Sequence, residues 1–281
     1  MNSSAYGLTS ANALTIDIYA IYNNAAGGVG VDRTVKLTAS IKDCACCGAP
    51  TNTGGWLTLL CHNLGANESA DPFNWTRNSA NDANGSIDIK GDLYQWGRPK
   101  DGHEKRNSGT TSTKANSNTP GHANFITIGM SVFPSDWRNG SGQLSRWGDG
   151  TENMNMPKAA NDPCPAGWKV PSQKQWISIY TARESGATST VQSDGTMSWL
   201  WTGNGYKIGN NLFLPAAGYR YCGTGSITSV GSTGMYWSST IRWETNEYMC
   251  REVYFTETFV MTEGYARDHP ADGNSVRCTP E

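Results

Sequence analysis

Apolar residues alternate with polar ones from Leu14 to Tyr22, where Leu14, Ile16, Ile18, Ala20 and Tyr22 share one side. The alternation is stricter from Thr34 to Lys42, with Val35, Leu37, Ala39 and Ile41 facing one way and Lys36, Thr38, Ser40 and Lys42 the other. A period of two predicts two strands, each with one buried face. The link from Asn23 to Arg33 is long for a hairpin and carries Gly27, Gly28 and Gly30. A two-stranded ribbon is marginal alone, so residues 1–43 are read as an N-terminal β-ribbon, the end or remnant of a β-sandwich domain. Asp43 to Gly55, dense in Cys, Gly and Thr, reads as a cysteine-pinned linker.

Beyond Trp56 the pattern loses its regular period. Trp56 to Cys61, Leu212 to Tyr219, Met235 to Thr240, Glu252 to Phe255 and Ser275 to Cys278 are short strand candidates between Gly-, Ser-, Thr- and Asn-rich turns. One helix is signalled. Pro171 precedes a good N-cap, Ser172, Gln175 stands at the capping-box position, and Trp176, Ile179, Tyr180 and Arg183 follow at helical spacing. No internal repeat of fixed period is present.

Composition narrows the class. The chain has 281 residues, 16% charged, with 32 Gly, 11 Trp, 12 Tyr and a net charge of −2. No broad basic face is available for phosphates, so nucleic acid is not expected as a partner. Mean hydropathy is −0.53, and no apolar run approaches the roughly 20 residues of a membrane span. The aromatic content and low charge exclude intrinsic disorder. Eight cysteines, Cys44, Cys46, Cys47, Cys61, Cys164, Cys222, Cys250 and Cys278, fit an oxidising, extracellular compartment. No signal peptide opens the chain at Met1-Asn-Ser-Ser, which reads either as an added start or as the trimmed beginning of a longer secreted protein.

Six blocks occur in order: Cys61-His-Asn-Leu-Gly65, Gly91-Asp-Leu-Tyr-Gln-Trp-Gly97, Asp162-Pro-Cys-Pro-Ala-Gly-Trp-Lys-Val-Pro171, Leu214-Pro-Ala-Ala-Gly218, Tyr236-Trp-Ser-Ser-Thr240 and Ser275-Val-Arg-Cys278. Together they resemble the Fibrobacter succinogenes major paralogous domain, over residues 44–281. The resemblance implies a compact, loop-rich α+β domain, similar in fold to C-type lectin-like domains and to the formylglycine-generating sulfatase-modifying enzymes. It implies paired N- and C-terminal strands and a loop-rich binding face. It also implies a place on a bacterial cell surface or fimbrial tip, with a phage virion as the alternative setting. Because Cys164 and Cys278 lie in matched blocks, a bridge between them is expected. Cys47–Cys61 is the second expected bridge, with Cys44 and Cys46 left beside each other and Cys222 and Cys250 as a candidate fourth pair.

Catalysis and metals are weighed against bland readings. The sulfatase-modifying enzymes use two cysteines close in sequence near the C-terminal end, whereas Cys250 and Cys278 are far apart and the second reads as structural. Glu244/Glu247 and Asp268/Asp272 read as solvated carboxylates rather than a glycosidase pair. His62, His103, His122 and His269 are scattered, and no zinc spacing accompanies Cys44-Ala-Cys-Cys47. Calcium finds neither tripeptide of the sugar-binding lectins, and Asp82 to Asp88 reads as a turn. No catalytic residue, metal or cofactor is therefore assigned.

Trp56, Trp96, Trp168, Trp176 and Trp237 read as core, and Trp75, Trp137, Trp199, Trp201 and Trp243 are left as core or sugar-stacking candidates. Function is read from the segment between the last two blocks, where bulky aromatics and arginines alternate with Glu and Thr. Tyr, Trp and Arg are the residue types of binding hot spots. Arg242, Trp243, Tyr248, Arg251, Tyr254, Phe259, Tyr265, Arg267 and His269 are the candidate ligand-binding residues. The expectation is a non-enzymatic adhesin domain for a glycan or protein receptor. The alternatives are a structural pilus or envelope subunit that joins other pilus subunits by strand addition, and a receptor-binding protein diversified by a retroelement over residues 241–270.

Overall fold

The computed structural model describes residues 14–23, 30, 32–41, 47–73, 89–129, 135–140, 144–180, 199–209, 211–244, 247–262 and 267–281. The chain divides into two compact units, Met1–Cys46 and Cys47–Glu281, each described by itself.

In the first unit β1 (Leu14–Asn23) pairs antiparallel with β2 (Asp32–Ile41), in a register running from Leu14 opposite Ile41 to Asn23 opposite Asp32. Opposed residues share a face, so Ile18, Ala20, Tyr22, Val35 and Leu37 gather on one side. The other side is polar at its centre. Lys36 is 2.9 Å from Asp17, and Thr38 donates a hydrogen bond to the same carboxylate.

The second unit contains β3 (Gly48–Pro50), β4 (Trp56–Thr58), β5 (Tyr94–Gln95), β6 (Thr110–Thr111), β7 (Phe125–Ile126), β8 (Trp168–Lys169), the helix α1 (Gln173–Ser178), β9 (Trp199–Trp201), β10 (Gly205–Ile208) and β11 (Leu212–Pro215). It continues with β12 (Tyr219–Arg220), β13 (Ile227–Thr228), β14 (Thr233–Glu244), β15 (Glu247–Thr256), β16 (Phe259–Met261), β17 (Arg267–Asp268), β18 (Gly273–Asn274) and β19 (Thr279–Pro280). The sheets are small. Their strand orders are β14-β15-β16, with β17 also on β15, then β11-β10-β9 and β13-β12-β18-β5, and three two-stranded pairs.

This overturns the α+β, C-type lectin-like expectation. Strand makes up 38% and helix 3% of the described residues, with one six-residue helix among them. The capping box at Ser172 and Gln175 forms as expected, yet α1 stops at Ile179, where the chain leaves helical geometry. Ser275 to Cys278 forms no strand of its own either. It runs between β18 and β19 and is held by an isolated parallel bridge of Ser275 to Tyr236, with Ser275 N donating to Met235 O and Trp237 N to Ser275 O, and by bonds from Leu64 N to Val276 O and Leu60 N to Cys278 O.

The long β14–β15 hairpin separates two apolar clusters. On one side Tyr236, Val253 and Phe255 join Trp176, Trp199, Tyr206 and Leu214. On the other Trp237, Ile241 and Cys250 join Trp96, Trp147, Val276 and the Cys164–Cys278 bridge. Side chains alternate across a strand, so one hairpin supplies both clusters, and the lack of a polar face along β15 is the mark of a sandwiched strand.

So little regular structure leaves many backbone groups to satisfy, and side chains do that work. Six fully buried indoles each donate to a main-chain carbonyl: Trp96 to Ser238, Trp137 to Trp96, Trp147 to Arg98, Trp176 to Trp237, Trp199 to Ile179 and Trp237 to Tyr94. Buried guanidinium groups do likewise. Arg106 donates to Gly91 O and Ala217 O, and Arg277 to Leu60 O, Phe213 O and Asn63 Oδ1. Among the tryptophans, Trp137 and Trp199 prove to be core, Trp201 packs half-buried against it, and Trp75 lies outside the described residues. Trp56 departs from the expectation. It is 42% exposed because β4 is an edge strand paired with β3 alone.

Cys47–Cys61 and Cys164–Cys278 are bridged. Cys222 and Cys250 are free thiols, so the candidate fourth pair is not formed. They sit in different clusters, Cys222 with Ile126 and Trp137 and Cys250 with Trp237 and Ile241. Cys44 and Cys46 lie outside the described residues.

Candidate binding surface

Between Trp237 and Ile241 the register of β14 against β15 shifts, because three residues of β14 stand opposite Arg251 alone. A bulge of this kind bends and re-aims a strand. Its residues, Ser238, Ser239 and Thr240, are fully buried, and their hydroxyls bind Arg251 O, Pro171 O and Thr151 O. The Tyr-Trp-Ser-Ser-Thr block is thus a polar knot that anchors the outer half of β14.

Past this knot the hairpin runs to its end, where Trp243 stands directly opposite Tyr248. Their rings meet edge to face with centroids 4.8 Å apart. Tyr248 packs against the second cluster, while Trp243 is 57% exposed. The neighbouring Arg242 is ion-paired with Glu152. Glu152 arrives on a loop fastened to β14 by Ile241 N to Gly150 O at 3.1 Å and Thr240 Oγ1 to Thr151 O at 2.8 Å. The same loop presents the exposed side chains of Leu144 and Met154. The result is an exposed indole steadied by a tyrosine edge, with the Arg242–Glu152 pair on the opposite face of the strand.

Tyr254, Phe259 and Arg251 do not join this surface. Tyr254 and Phe259 form a second half-buried pair with centroids 5.2 Å apart. It lies six residues further along β15, about 20 Å away at strand rise. Arg251 is withdrawn altogether. It is 3% exposed because it stands mid-strand, covered by the bulge of β14 and by β17. His269 is half-buried. Tyr265 and the side chain of Arg267 lie outside the described residues, as do the side chains of Glu244 and Glu247 and the turn at Asp82 to Asp88.

Two clusters of titratable groups are tied up in the fold. Asp101, His103 and Glu104 bring their ligand atoms within 4.8 Å of one another, a metal-like grouping. The backbone N–H of Gln95 donates to His103 Nε2, so the neutral ring carries its proton on Nδ1 and donates it to Asp101 Oδ1 at 2.7 Å. Both nitrogens are spent, and Glu104 accepts from the Gly102 N–H. Burial, above all, pushes the His103 ring down to about 4, so it stays neutral near pH 7.

The second cluster corrects the expectation that Asp268 and Asp272 are solvated. Asp272 is 3% exposed and shares a hydrogen bond with Asp268. Glu252, also buried, accepts from Asn274 Nδ2 at 2.8 Å. Burial raises all three carboxyls. They connect β15, β17, β18 and the Cys222 N–H, which donates to Asp272. Burial also drives the Cys222 and Cys250 thiols upward, away from the thiolate form a nucleophile needs.

No family model matches the chain, and no curated protein or solved structure matches it either. Sequence reasoning missed Glu152, which reaches Arg242 by a long-range fold-back that no local pattern signals. The Asp101/His103/Glu104 grouping was within reach, since all three lie within four consecutive residues.

Proposed function

We propose that this chain is a non-enzymatic, extracellular binding module of a bacterial surface or fimbrial-tip protein, related to the Fibrobacter succinogenes major paralogous domain, and that it holds a glycan or protein receptor at the Trp243 end of the β14–β15 hairpin. The observation that carries this reading is the exposed indole of Trp243. Every tryptophan of the two core clusters is wholly or partly withdrawn, whereas this one is exposed with its ring against its cross-strand tyrosine. A wide aromatic face steadied in this way suits either sugar C–H stacking or a protein hot spot. The two disulfides support an oxidising setting. No helix among the described residues is long and apolar enough to cross a membrane.

The test is binding of the intact chain to glycan and protein arrays, repeated with Trp243→Ala. A partner bound by the parent and lost at least tenfold in the variant, with an unchanged melting temperature, is the expected result. Retained binding by Trp243→Ala overturns the assignment of the surface, and binding only through Tyr254→Ala-sensitive contacts moves it to the other aromatic pair.

A second reading rests on the ribbon. Ile18 is 52% and Leu37 62% exposed on its apolar side, as suits a strand pair that completes another subunit's sheet. Concentration-dependent assembly abolished by Leu37→Lys supports that reading, and a monomer at all concentrations removes it.

A further inference from the structure

The β11-β10-β9 sheet turns one face to the core and the other outward. Its register places Leu200, Lys207 and Phe213 in one row across the three strands, opposite to the face that carries Trp199, Tyr206 and Leu214. Phe73 comes over the row from the 47–73 segment, with its ring centroid 6.3 Å from that of Phe213. Pro72, Phe73, Thr202, Asn204, Lys207 and Phe213 line a cleft of about 90 Å³ there. A water needs about 10–15 Å³ on this scale, so the space suits one ring-sized group.

The polar groups of the cleft are the informative part. Lys207 Nζ lies 6.0 Å from the Phe73 ring centroid and has no carboxylate partner among the described residues. The nearest acid in sequence to Phe73, Asp71, turns its Oδ1 back to the Phe73 N–H. The Asn204 main chain is used, its carbonyl accepting from Ala216 N, while its carboxamide makes no hydrogen bond to a described residue. Thr202 Oγ1 donates to Gly205 O and keeps an acceptor lone pair. Among the described residues, one cation without a carboxylate partner, an amide without a hydrogen bond and the half-buried Phe73 ring, backed by the buried Phe213, therefore converge on one concave spot. Ligand sites are built of mostly apolar walls with a few directed polar groups, and a carboxylate forms a strong, charge-assisted hydrogen bond with an ammonium.

We infer that this cleft binds an acidic sugar residue, its carboxylate on Lys207, its ring face on Phe73, and its hydroxyls on Asn204 and Thr202. The site is separate from the Trp243 surface and does not depend on it.

The experiment titrates the full chain with sodium glucuronate, glucose and sodium acetate, following backbone amide shifts by NMR. Glucuronate is expected to move the Phe73, Asn204 and Lys207 amides saturably at millimolar concentration, with glucose and acetate each binding at least about fivefold more weakly. Lys207→Met keeps the aliphatic stem and is expected to weaken glucuronate by a similar factor, whereas Trp243→Ala leaves it unchanged. Equal binding of glucose, or an unaffected Lys207→Met, overturns the role of the charge. Equal binding of acetate overturns the role of the ring, and no saturable shift with glucuronate overturns the site. A lost Trp243-dependent receptor with intact glucuronate binding, or the reverse, separates the two surfaces.

Discussion

His103 is the residue whose environment makes the clearest statement about pH. The unfolded ring titrates near 6.5, and burial among Arg98, Asp101 and Glu104 pushes the folded one down to about 4. A depressed histidine binds its proton less well when folded. Its contribution is therefore complete above pH 6.5 and is lost as pH falls toward 4, at up to about 1.4 kcal/mol per unit. Asp162 has the opposite sign. Burial pushes it up to about 6 although both its oxygens accept backbone N–H groups, from Cys164 and Val170. Its contribution is complete below about pH 4 and is lost as pH rises through 6. Because the two oppose each other, single variants isolate them. The stability gap between parent and His103→Gln, from urea unfolding, is expected to shrink steadily from pH 6.5 to 4. A gap independent of pH removes the assigned tautomer and its buried ring.

At the scale of elements, the β14–β15 hairpin matters most because it feeds both clusters and ends in the exposed indole. Its tightest point is Gly234, opposite Phe255, where a Cβ would run into the phenyl ring. Gly234→Ala is expected to destabilise the chain by about 1–3 kcal/mol, as overpacking does, read as a lower urea midpoint with unchanged slope. Unaltered stability means that the ring has room to move. The parts of this fold legible in sequence were those written locally. The strict alternation at Val35 to Ile41 and the Ser172/Gln175 capping box each specify their element within a few residues. The bulge at Ser238 to Thr240 and the two-residue strands were not legible, since Asn274 pairs with Tyr94 and Arg220 with Gly273 only once the chain has folded back. The same cause hid Arg251. Its position in an aromatic, charged stretch suggested a surface, while the flanking strands that bury it are distant in sequence or irregular.

For the molecule as a whole, short strands and many loops put the weight on cross-links. Cys164–Cys278 closes 114 residues and Cys47–Cys61 closes 14. In chain-entropy terms they contribute about 4–5 and about 3 kcal/mol. Replacing Cys164 and Cys278 by Ala is thus expected to lower the melting temperature more than replacing Cys47 and Cys61, and the reverse order shows that local packing outweighs loop length.

The distribution of the indoles also makes the protein its own optical probe. Trp96, Trp137, Trp147, Trp176, Trp199 and Trp237 are sealed from solvent, so aqueous iodide has no access to their excited states. Trp243, at 57% exposure, is open to collisional quenching, with Trp56 a lesser contributor at 42%. A ligand seated on Trp243 would shield that emission and leave the sealed signal untouched, which makes occupancy readable by fluorescence without any label.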